Sequence, residues 1–120
     1  MIRRWHALVI DCPDPSGLAD FYQELLGYQR VKDEEDWVAI ADGPNRPAIA
    51  FQRAPDLRPP RWPDPEHPQQ QHVDIKVDDV DAADAAEPRV LALGARRLPG
   101  EGKEFRVYAD PVGHPFCLVW

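Results

Sequence analysis

Ala7-Leu-Val-Ile-Asp-Cys-Pro-Asp14 and His72-Val-Asp-Ile-Lys-Val-Asp-Asp79 open two stretches built on one plan. Each is a short, largely apolar run that ends in an aspartate. Each aspartate precedes a helix-period stretch closed by Leu-Gly, at Leu26-Gly27 and again at Leu93-Gly94. The quoted segments lie 65 residues apart at both ends. Further on, Asp42-Gly-Pro-Asn-Arg-Pro47 and Asp110-Pro-Val-Gly-His-Pro115 lie 68 residues apart, and each leads into another apolar strand. Two copies of a unit of about fifty residues predict two similar modules facing each other across one cavity, with function where they meet.

The elements follow from local pattern. Residues 5–12 read as a strand, apolar enough to be buried on both faces. Asp14-Pro15 is a helix start, an acidic cap followed by proline in the first turn. Leu18, Phe21, Tyr22, Leu25 and Leu26 share one helical face, and Gly27 can end the helix with a left-handed backbone. Residues 28–32 and 37–41 form a hairpin around the acidic tip Asp33-Glu34-Glu35-Asp36, and 48–53 is a fourth strand. The second copy repeats this: strand 71–77, helix 81–93 with Ala82, Ala86, Val90 and Leu93 on one side, then strands 95–98, 105–109 and 116–120. Pro88 is expected to kink or restart that helix. The class is α+β, one domain of 1–120 made of tandem βαβββ modules, 1–53 and 71–120. They are joined by a Pro-rich loop, 54–70, which is long for a connector. Six prolines stiffen the loop and Trp62 can anchor it, so it reads as ordered and laid over the cavity.

Composition excludes several function classes. A net charge of −7 argues against nucleic acid, which needs a basic face. That charge suits solubility first and is compatible with a cationic ligand. No apolar run approaches the roughly 20 residues of a membrane span, and residues 1–6 form no apolar signal-peptide core. Cys12 and Cys117 therefore read as reduced thiols in a cytoplasmic protein. Arg, Ala and Pro in abundance beside scarce Lys suggest a bacterial source. Ser16 is the single serine and threonine is absent, which leaves no basis for a Ser-His-Asp hydrolase. Trp5, Trp37, Trp62, Tyr108 and Trp120 suit either a flat apolar ligand or core packing, with core packing the plainer reading for Trp5.

The tandem plan resembles the vicinal oxygen chelate superfamily, which includes glyoxalase I, extradiol dioxygenases, fosfomycin-resistance enzymes and bleomycin-binding proteins. The resemblance rests on the segments quoted above and on Arg61-Trp-Pro-Asp-Pro and His114-Pro-Phe-Cys-Leu, which are similar to a bacterial glyoxalase-like subgroup. It implies that each module gives one metal ligand from its first strand and one from its last, around a divalent ion with open positions. By that pattern His72 matches the second module's first ligand. Its counterpart is Ala7, which cannot coordinate, and alternation sends His6 to the other face unless a bulge intervenes. The last-strand positions fall on Cys117 and, 68 residues earlier, Ile49, with Phe51 taking that place if the register slips by two.

Two of four metal positions thus carry a possible ligand, His72 and Cys117, and this pair suits a soft ion such as zinc. The plainer readings are a small apolar strand residue for Cys117 and a hydrogen-bonding residue for His72. His67 and His114 read as loop and turn residues. The function expected first is binding of a small organic molecule in the inter-module cavity, through His72, Cys117, Ala7, Ile49, Trp62 and Tyr108, without a tightly bound cofactor. The alternative is a divalent-metal-dependent lyase, isomerase or dioxygenase that uses His72. A homodimer is the expected assembly, as the resemblance implies.

Overall fold

A computed structural model describes residues 2–120. The chain divides into two compact units, one ending at Leu57 and one running from Arg58 to Trp120. The first contains β1 (Ala7–Cys12), α1 (Pro15–Leu26), β2 (Gln29–Asp33), β3 (Trp37–Ala41) and β4 (Ala48–Arg53). Its sheet has the order β1-β4-β3-β2, with β1 parallel to β4 and the other pairs antiparallel. The second contains β5 (Val73–Lys76), α2 (Val80–Ala92), β6 (Arg96–Arg97), β7 (Phe105–Ala109) and β8 (Pro115–Val119), in the order β5-β8-β7-β6 with the same strand directions. The fold is α+β and built from two βαβββ modules, as the repeat implied.

In the first unit the two faces of the sheet differ sharply. Helix α1 starts at Pro15 after an extended Asp14 and ends at Gly27, whose φ of 70° is the left-handed conformation that glycine adopts without strain. Its buried side chains include Leu18, Phe21 and Tyr22, and the Tyr22 ring stacks on Phe51 of β4 at 5.5 Å. Strand pairing puts Ile49, Ile40, Val38, Leu8 and Ile10 on the same face as Phe51. The opposite face carries Ala7, Val9, Trp37, Ala39, Ala41, Ala48 and Ala50, a floor of small side chains. Strand β1 is not buried on both faces: Val9 is 40% exposed. Trp5 precedes the strand and is 66% exposed, which corrects its reading as a core residue.

The second unit has the same frame and a more polar seam. Asp79 caps α2 by accepting from the Ala82 amide at 2.8 Å, and the helix continues through Pro88 to Ala92 without the expected restart. Only Ala83 and Val90 of α2 are fully buried. Glu87 supplies much of the remaining contact. Its Oε2 accepts from the Tyr108 hydroxyl at 2.6 Å, from Arg97 at 2.7 Å and from Arg106 at 3.2 Å. Arg106 also reaches Asp84, and Tyr108 stacks on Phe116 at 5.4 Å.

Residues 58–70 of the Pro-rich segment belong to the second unit. They are internally bonded: Arg61 N–H to His67 O at 2.8 Å, Asp64 N–H to Arg61 O at 2.6 Å, and Glu66 N–H to the Asp64 carboxylate at 2.9 Å. Trp62 is half-buried and its indole N–H donates to Pro99 O at 2.8 Å. Among the described residues, no helix is long and apolar enough to cross a membrane.

Candidate functional site

On the second sheet, strand alternation decides which side chains face away from α2. Tyr108, Phe116 and Leu118 point toward α2, so their neighbours Val107, Cys117 and Val119 occupy the other face. Cys117 pairs with Asp74 of β5, and His72 lies two residues before Asp74. His72 Nε2 is 3.4 Å from Asp74 Oδ1, and one donor atom from each of His72, Asp74 and Cys117 lies within 4.8 Å of the others. His72 and Asp74 are exposed, whereas Cys117 is buried. Burial pushes the Cys117 thiol up to about 11, and the Asp74 charge and its hydrogen bond add to the shift. The thiol therefore stays protonated at neutral pH and can donate to Asp74.

These three polar groups line a pocket of roughly 380 Å³. Phe105, Val107, Pro115 and Val119 give it apolar walls, and Trp62 and Gly100 form part of its edge. Gln69 also lines it, and the Gln69 Oε1 atom is buried with no hydrogen-bond partner among the described residues. A buried acceptor without a donor is costly, so this atom is a place where a ligand N–H or O–H would be favoured.

The structure brings together His72, Cys117 and Trp62 of the residues expected from sequence. It does not place Tyr108 with them, because Tyr108 packs under α2 and its hydroxyl is held by Glu87. Ala7 lies on the alanine face of the first unit, as alternation required. Ile49 does not share that face; it lies on the α1 side with Phe51. The cause is turn length. Six residues, 42–47, separate β3 from β4, whereas five, 110–114, separate β7 from β8. One extra residue shifts the register by one and turns every later side chain over. The counterpart of Cys117 is therefore Ala50: Ala50 pairs with Ala39, as Cys117 pairs with Val107.

Asp74 and Gln69 were not singled out by sequence reasoning. Asp74 was legible, since it sits two strand positions after His72 and so shares its face. Gln69 carries no such signal, because a loop has no period. His67 and His114 are loop and turn residues, as expected. In the second turn, Asp110 Oδ1 accepts from the amides of Val112, Gly113 and His114 at 2.9–3.0 Å, which fixes the entry into β8.

An imidazole nitrogen, a carboxylate oxygen and a sulfur at these separations form a donor set suited to a zinc-type ion with an open position. All three donors come from the second unit. The equivalent positions of the first unit are Ala7, Val9 and Ala50, none of which can ligate. The set is thus a three-donor group and not the four-ligand pattern drawn from both modules.

Residues 7–119 match the family model of the glyoxalase-like domain. Among solved structures, the chain is similar to a glyoxalase/bleomycin resistance protein/dioxygenase family enzyme from Burkholderia phytofirmans PsJN, at 19% identity, with 93% of this chain and 94% of that chain covered and a TM-score of 0.73. A possible glyoxalase from Bacillus cereus matches at 12% identity over 98% of both chains, with a TM-score of 0.74. The fosfomycin resistance protein FosX from Mesorhizobium loti matches at 17% identity, over 99% of this chain and 92% of that chain, with a TM-score of 0.71. A search of curated proteins found no match. The chain belongs to the glyoxalase-like domain family, within the vicinal oxygen chelate superfamily.

Proposed function

We propose that this glyoxalase-like protein binds a small organic molecule in the pocket over β5 and β8, with an apolar body and a hydrogen-bond donor. The observation that carries this reading is the unpaired Gln69 Oε1 among the pocket-lining groups. Phe105, Val107 and Val119 supply apolar contact, and Trp62 offers a ring face at the edge. His72 and Asp74 are exposed and accept or donate at the mouth. The test uses naphthol as probe, followed through the Trp62 indole signal by NMR. Naphthol is expected to shift that signal saturably, and Gln69→Leu to weaken binding by about tenfold, the scale of one buried hydrogen bond. Saturable binding unaffected by both Gln69→Leu and Trp62→Ala would place the ligand elsewhere.

The His72–Asp74–Cys117 group favours a second reading, in which the same pocket holds a divalent ion. Such an ion, when bound, would polarise a ligand oxygen. His72 would give nitrogen, Asp74 oxygen and Cys117 sulfur, while the apolar walls keep water from the ligand body. Zinc titration of metal-free protein should then release protons and lose its tight phase in His72→Ala. A weak, unsaturable response identical in both proteins would remove this reading and leave the first intact.

A further inference from the structure

Three donors of the second-unit pocket already face an acceptor. The Trp62 indole N–H is taken by Pro99 O, the Cys117 thiol can donate to Asp74, and His72 Nε2 stands 3.4 Å from Asp74 Oδ1. What remains open is acceptor. Gln69 Oε1 has no partner among the described residues. A carboxylate has about four lone-pair sites, so two donors leave about half of those on Asp74 free. Asp74 is the one carboxylate that lines the pocket, and no arginine or lysine lines it. Lys76 shares the strand face of Asp74, two positions on, but is exposed and is not a lining residue. Among the described residues Asp74 has no arginine or lysine partner. Its charge is felt inside the pocket: after burial itself, it is the next cause that pushes the Cys117 thiol up.

We propose, resting on the small-molecule reading of this pocket, that it selects an organic cation: a protonated primary amine on a flat apolar body. One ammonium group supplies what the pocket lacks, several N–H donors and a positive charge. A donor would satisfy Gln69 Oε1, whose burial without a partner is costly, and the charge would neutralise Asp74. A neutral hydroxyl brings a single donor and no charge. An anion meets Asp74 with like charge and adds acceptors where acceptors are already unpaired. The Trp62 ring at the pocket edge attracts a cation over its face, while Phe105, Val107, Pro115 and Val119 cover the apolar body.

The experiment compares naphthylmethylamine, neutral naphthalenemethanol, the trimethylammonium analogue and naphthoate, by calorimetry and by the Trp62 indole NMR signal. The amine is expected to shift that signal saturably and to bind at least about tenfold more tightly than the alcohol, the scale of one charge-assisted hydrogen bond. That advantage should shrink as salt screens the charges. The trimethylammonium ion, charged but without an N–H, should bind more weakly than the primary amine, and naphthoate more weakly than the alcohol. Asp74→Asn should erase the advantage of the amine over the alcohol, and Gln69→Leu should weaken amine binding about tenfold. Glu35→Gln removes an equal charge from the exposed hairpin tip of the first unit and should leave the advantage intact. Alcohol and amine bound with equal affinity, or an advantage that survives Asp74→Asn, would overturn the cation assignment and leave the small-molecule reading standing. So would a trimethylammonium ion that binds as tightly as the primary amine. No saturable Trp62 shift with any of these probes would overturn both.

Discussion

Glu87 shows how one side chain can hold a helix that has little apolar grip. Its carboxylate takes the Tyr108 hydroxyl and the guanidiniums of Arg97 and Arg106 at once. The Tyr108 hydrogen bond, then the charges of Arg97 and Arg106, hold its carboxyl below the ordinary 4.5. A depressed folded-state value means that the unfolded chain takes up the proton first as pH falls. The stabilisation is therefore complete above about pH 4.5 and is lost as pH drops through the lower folded value. Glu87→Gln should cost about 1.5–3 kcal/mol at pH 7, the range of a hydrogen bond involving a charged group, and should flatten the acid limb of the stability curve. Urea unfolding at pH 7 and at pH 3 measures both effects, and an unchanged acid limb would show that Glu87 titrates as a free surface group. Residues like this mark the limit of what the sequence makes legible. His72 was readable because it stands a fixed seven positions before Asp79. Asp74 was readable from strand period alone. Tyr108 could be assigned to the wrong face because an aromatic in a strand suits a pocket wall or a core equally until the partner helix is known.

The elements were mostly legible, and the misses have local causes. Strand β4 and strand β7 have the expected limits, because turn residues bound them tightly on both sides. Strand β1 starts two residues late: Trp5 is aromatic but lies outside the ladder, and His6 joins it only through its carbonyl, which accepts from the Ala48 N–H at 3.0 Å. Ile49 lies on the α1 face because a repeat measured by its landmarks does not report a one-residue difference between two turns. Pro88 was expected to kink or restart α2, yet the helix runs from Val80 to Ala92. Proline cannot donate to the carbonyl of Asp84, one turn earlier, so the helix tolerates a missing bond there. Pro88→Ala should restore that donor and raise stability by about 1–3 kcal/mol, the span between a partly relaxed site and a full interior proline. Thermal unfolding checks this. A lower midpoint would mean that Pro88 contributes packing worth more than the bond it removes.

At the scale of the molecule, the repeat made the architecture legible while average properties concealed how charge is distributed over the surface. A net charge of −7 suited solubility first and was compatible with a cationic ligand, yet the alanine face of the first unit is rimmed with Arg3, Arg4 and Arg46. Composition sums over the surface and cannot report where each sign collects. The two units also differ in how their helices are held, which the parallel plan of the sequence hides. Helix α1 fully buries Leu18, Phe21 and Tyr22, side chains worth about 1.5–3 kcal/mol each when removed from water. Helix α2 buries Ala83 and Val90, adds a network of partly exposed ion pairs, and lacks one backbone bond at Pro88. Exposed ion pairs contribute little and weaken with salt. The free energy needed to open α2 locally should therefore lie well below that for α1. Hydrogen exchange read by mass spectrometry should show the amides of 80–92 exchanging faster than those of 15–26, with the gap widening in high salt and narrowing in Pro88→Ala. Equal protection of the two helices, or faster exchange in α1, would mean that contacts outside each helix and its own sheet set the stability, and that the two units do not hold their helices independently.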